Sequence, residues 1–138
     1  MNALLGMALA AALITPNVRG YVSSWCLWTQ IYDLHAVAVR CAGKLPPDVD
    51  ARYRQLRRAT EAAILRDASM RPGESDDTAS AEMAQYAAKS RPINPARCAD
   101  ADLKRAVAIF GILTSPENVA KLRADLATRR DPYDGDCL

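Results

Sequence analysis

Ser23-Ser24-Trp25-Cys26-Leu27-Trp28-Thr29-Gln30-Ile31-Tyr32-Asp33-Leu34-His35-Ala36-Val37-Ala38-Val39-Arg40-Cys41-Ala42 is the stretch on which the fold turns. Trp25, Trp28, Tyr32, His35 and Val39 recur at helical spacing, and Leu27, Ile31, Leu34, Ala38 and Cys41 form a second stripe between them. Only Thr29, Asp33 and Arg40 leave a narrow polar edge, so the segment reads as a central, largely buried helix.

Outward from it, Gly43 stops the helix, and Lys44-Leu45-Pro46-Pro47 connects it to a second one running from Pro47 or Asp48 to about Met70. Val49, Tyr53, Leu56, Ala59, Thr60, Ala63 and Ile64 mark its inner face. Arg52, Arg54, Arg57, Arg58 and Glu61 mark its outer face, and Arg71-Pro72-Gly73 ends it. A shorter helix is expected from about Asp77 to Lys89, turning Ala79, Met83, Tyr86 and Ala87 inward on thin apolar content. Asn94-Pro95 reads as a cap with proline at the first helical position, opening a fourth helix with a core stripe of Leu103, Ala106, Val107, Phe110 and Leu113. Ser115-Pro116 repeats that start for a last helix, which Asp131-Pro132 closes.

The expected fold is therefore all-α, a small disulfide-stapled bundle of four to five helices behind a cleavable signal segment. Residues 1–20 are assigned to the leader and 21–138 to a single helical domain. The run from Ala3 to Ile14 is uncharged and apolar, with the length of a signal-peptide core and too few residues to span a bilayer. No basic residue stands ahead of it in this sequence, a departure from the usual leader pattern. Alanine supplies much of the hydrophobic half of the composition, and with only eight aromatic residues in the chain this favours packed helices over a sandwich. A net charge of +2 excludes a whole-molecule nucleic-acid signature.

Cys26, Cys41, Cys98 and Cys137 form an even, widely spread set without a Cys-x-x-Cys pair, and one histidine is too few to complete a local zinc site. Two structural disulfides are expected. Cys26 and Cys41 stand on one helix, roughly 22 Å apart at 1.5 Å per residue, so each must pair with a later cysteine. If the first three helices run up, down and up, the fourth begins at the end where Cys41 lies, which favours Cys41–Cys98 and leaves Cys26–Cys137.

No catalytic constellation is evident. His35 has neither a nucleophile nor an orienting carboxylate at a recognisable spacing. Asp131, Asp134 and Asp136 around Gly135 lack the spacing of a calcium loop. The expectation is a non-enzymatic periplasmic or secreted protein-interaction module with no cofactor and no metal. Its partner would be another envelope or extracellular protein rather than nucleic acid, and no membrane span would survive processing. Arg52, Arg54, Arg57, Arg58, Tyr133 and Asp134 are the candidate contacts. The outline is that of inhibitors and immunity-type binders, by analogy of architecture and not of motif. The alternative is a small-ligand carrier with a pocket lined by Trp25, Trp28, Tyr32 and His35.

Overall fold

A computed structural model describes residues 22–135 of the chain. The leader assigned to residues 1–20 and the expected partner Cys137 lie outside the described residues.

Five α-helices and no strand are found among the described residues, as the apolar periodicity requires. The first, α1 (Ser24–Ala42), begins where the Ser23 hydroxyl accepts from the Cys26 N–H at 3.0 Å, and it ends at Gly43, whose φ of 80° suits a residue without a Cβ. Prolines 46 and 47 open α2 (Pro47–Asp67), with Asp48 and Asp50 placed against its positive end. A single 3-10 turn, Ala68–Met70, finishes it. A reciprocal capping box between Ser75 and Thr78 starts α3 (Asp76–Lys89). The Ser115 hydroxyl, with Pro116 behind it, starts α5 (Pro116–Leu126) directly after α4 (Ala101–Leu113).

Two boundaries differ from the sequence reading. Asn94-Pro95 opens only a 3-10 turn, Pro95–Ala99, and Asp100 is extended before α4 begins at Ala101. A cap followed by proline marks the entry to any helical turn and carries no information on how far that turn runs. The last helix ends at Leu126 rather than at Asp131. Arg66 donates to the Leu126 and Thr128 carbonyls, while the Arg130 N–H and the Arg129 guanidinium bond to Asp67, drawing the chain off the helix axis.

The central pair is α1 and α2; α4 lies on α1, and α3 and α5 lie on α2. The larger core cluster is mainly aliphatic and includes Ile31, Val37, Leu56, Leu103, Leu113 and Leu122, with Phe110. A smaller cluster holds Trp28, Ile64, Ala68 and Ala79, with Trp25, Tyr32, Met83 and Tyr86 packed against it. Val39, placed on the aromatic stripe by its spacing, is 45% exposed.

The Cys41–Cys98 disulfide is present, with 5.3 Å between the Cα atoms, and ties the end of α1 to the turn before α4. Cys26 is also disulfide-bonded. The backbone passes close to it at the chain's other end: Pro132 is buried, and its carbonyl accepts from the Trp25 N–H at 3.1 Å. That bond satisfies one of the donors left over at the start of α1.

Candidate functional site

The arginines of α2 do not act as one free face. Arg52 turns back into the molecule, donating from Nε to the Thr114 carbonyl at 2.7 Å and from Nη1 to Asp48, so it closes the end of α4. Arg54 pairs with Asp50 at 2.9 Å and Arg57 with Glu61 at 2.8 Å, both one helical turn apart. Arg57 also stands over the Tyr32 ring at 5.8 Å. Arg58 is exposed and has no ion pair among the described residues.

Arg54, Arg57 and Arg58 border a groove of about 440 Å³ together with Asp50, Glu61, His35 and Tyr53. The periodicity that put His35 on the inner face of α1 and Tyr53 on the inner face of α2 makes the two rings meet. They stack in parallel, with centroids 3.8 Å apart and planes within 4°. Phe110 tilts against both. Burial lowers the His35 pKa, with Arg57 and Arg54 acting in the same direction and Asp50 opposing, so the imidazole is neutral near pH 7. Burial raises the Tyr53 pKa, and the nearby Arg57 guanidinium opposes that rise. Tyr53 is 3% exposed, and its buried hydroxyl lies beside the Arg57 guanidinium with no acceptor in strict geometry for its own proton.

Of the residues of the alternative pocket, His35 stands apart from the other three. Trp25, Trp28 and Tyr32 stack successively along α1, and Tyr86 of α3 meets all three edge-on. Tyr133 packs on Trp25 at 5.5 Å. His35 belongs instead to the groove beside Tyr53. Each of three polar tips in the aromatic cluster reaches a carboxylate: Trp28 Nε1–H donates to Glu61 at 3.1 Å, Tyr86 O–H to Asp33 at 2.7 Å and Tyr133 O–H to Glu82 at 2.8 Å. Tyr133 also lies under Arg71, so this candidate contact is engaged within the fold, while Asp134 is exposed.

A buried carboxylate is the feature the sequence reading missed. Asp67 is 3% exposed; it receives a two-pronged bond from Arg66 at 2.8 and 2.6 Å, and further bonds from the Arg129 guanidinium and the Arg130 N–H. The bond from Arg66 is the main cause of its lowered pKa. The signal was available, because Asp67 continues the inner stripe of Leu56, Thr60, Ala63 and Ile64, where an acidic residue needs partners to be buried.

Among the described residues no group of three or more His, Cys, Asp or Glu could hold a metal ion, and no helix is long and apolar enough to cross a membrane. Chemically, the groove offers guanidinium donors, a phenol whose proton has no acceptor and a neutral imidazole, a set suited to gripping an anion. The chain matches no protein-family model, no curated protein and no solved structure.

Proposed function

We propose that this protein is a non-enzymatic, exported interaction module that takes an acidic protein partner on the arginine-bearing side of α2. The observation carrying this reading is the groove at His35 and Tyr53, whose rim of Arg54, Arg57 and Arg58 exceeds the two carboxylates set among them. Export draws its support from the Cys41–Cys98 bridge and from the lack of a free cysteine among the described residues, a pattern of oxidising compartments. Interaction is favoured over the carrier alternative because Trp25, Trp28 and Tyr32 are packed by Tyr86 and Tyr133, which occupy the space a ligand would need.

Titration of the full chain with poly-L-glutamate at low salt tests the reading. Saturable binding is expected, weakened more than about tenfold by Arg54→Glu combined with Arg58→Glu. No binding, or binding indifferent to that double substitution, would overturn it. Intact mass of protein recovered from the periplasm or medium, with alkylation before reduction, tests the compartment. Loss of roughly the first 10 to 20 residues with no alkylated thiol is the expected result.

A further inference from the structure

We infer that the groove between α1 and α2 is a seat for one carboxylate group, held by the Tyr53 hydroxyl and the Arg58 guanidinium. This rests on the proposed acidic partner and adds the atoms that would receive it.

Three independent observations lead there. First, the Tyr53 hydroxyl is buried in an open groove with the Arg57 guanidinium on its oxygen, and no acceptor meets the strict geometry for its proton. A buried polar group in that state costs about 1–3 kcal/mol, so an unfilled donor marks a place where an acceptor would be stabilising. The half-buried His35 ring stacks on Tyr53 and fixes the direction of the phenol. Second, the charges around the groove nearly cancel. Arg54 with Asp50 and Arg57 with Glu61 are settled pairs, and Arg58 is the cation left over. A single negative charge balances the site, which fits one carboxylate better than a phosphate dianion. Third, the side chain between the phenol and solvent is a cation. Arg57, the guanidinium beside the phenol, has a side chain 42% exposed and its contacts with Glu61, Tyr32 and Tyr53 all lie at the groove rim, so a carboxylate entering from solvent meets it first.

The carboxylate can come from an Asp or Glu side chain of a partner or from a free small acid, and the test separates them. The isotopically labelled full chain is titrated, at constant ionic strength, with an end-blocked peptide bearing glutamates, the same peptide with glutamines, sodium acetate and sodium chloride. The glutamate peptide should shift the Tyr53 and His35 ring resonances saturably, and the glutamine peptide and chloride should not. Acetate binding as tightly as the peptide would assign the seat to a free acid; markedly weaker acetate binding would assign it to a protein side chain.

Tyr53→Phe removes only the hydroxyl, and Arg58→Gln only the charge. Each should weaken the peptide about tenfold, while Tyr53→Phe melts no lower than the parent because an unsatisfied group has been removed. Unchanged affinity in Tyr53→Phe would overturn the seat and leave the arginine face standing if poly-L-glutamate still binds. Shifts produced equally by chloride would also overturn it. Absence of binding by both peptide and poly-L-glutamate would remove the seat and the acidic-partner reading together.

Discussion

The cluster shared by α1, α2, α4 and α5 is filled mainly by branched aliphatic side chains whose only requirement is to be packed, whereas the cluster between α1, α2 and α3 is filled by rings whose polar tips reach carboxylates. The first is held by shape and excluded water and is indifferent to pH. The second uses large apolar faces to dock a helix that buries little else, since Ala79 is the only fully buried residue of α3. Tyr86 of α3 donates to Asp33 and Tyr133 donates to Glu82 of α3, so hydrogen bonds to charged acceptors hold α3 at two points, while Trp28 ties α1 to Glu61 of α2. Both tryptophans of the chain lie in the aromatic cluster, so their emission reports on that side alone, while helical circular dichroism reports on both.

The largest expected effect comes from cutting the aliphatic side's staple. Replacing Cys41 and Cys98 by serine opens a loop of 57 residues, which the chain-entropy model values at about 4 kcal/mol. The melting temperature should fall steeply while native tryptophan emission stays put, because the bridge is at the far end of α1 from Trp25. A shift in native emission would show that the two clusters are not separable. Next is Leu113→Ala, which leaves a cavity at a fully buried site and should cost about 3 kcal/mol, again without altering native emission.

Asp67 lies at the end of α2 and fastens the chain that follows α5. Asp67→Asn removes a charge that gathers three donors, and with exposed arginines among its partners the loss should be about 2 kcal/mol at neutral pH. Its folded pKa is depressed, so the stability it supplies is present above the ordinary carboxylate range and is lost as pH falls through the folded value. The gap between parent and variant in urea titrations should therefore close below about pH 4. A gap that persists in acid would mean that Asp67 acts through packing and not through its charge.

How much of this was legible follows the same division. The aliphatic side is written in periodicity: the stripes of α1, α2 and α4 that the spacing defines are the buried ones, and the Cys41–Cys98 bridge follows from where those helices must end. The partnerships of the aromatic side are tertiary. Asp33 sits on what the spacing marks as a polar edge of α1, yet Tyr86 bonds to it from 53 residues away. Likewise the arginines of α2 are visible as a group, but which of them are spent is decided by Thr114, Glu61 and Asp50, and Tyr53 is indistinguishable in sequence from a satisfied core tyrosine.

The smallest effect is the one that tests the aromatic side's chemistry most directly. Tyr86→Phe keeps the ring against Trp25, Trp28 and Tyr32 and deletes the hydroxyl that donates to Asp33, at an expected cost of about 1 kcal/mol at neutral pH. Burial raises the Asp33 pKa, and the bond from Tyr86 is what partly lowers it again. For a carboxyl whose folded pKa is raised, the folded state binds the proton more tightly, so its contribution to stability declines as pH rises from the unfolded value, about 3.9, through the folded one. Without the hydroxyl the folded pKa rises further, and that decline should become deeper in Tyr86→Phe than in the parent. Native emission should shift only slightly, since the ring remains. Parallel pH profiles for the two proteins would show that the hydrogen bond to Asp33 contributes no charge-dependent stability, and that Tyr86 docks α3 on α1 by its ring face alone.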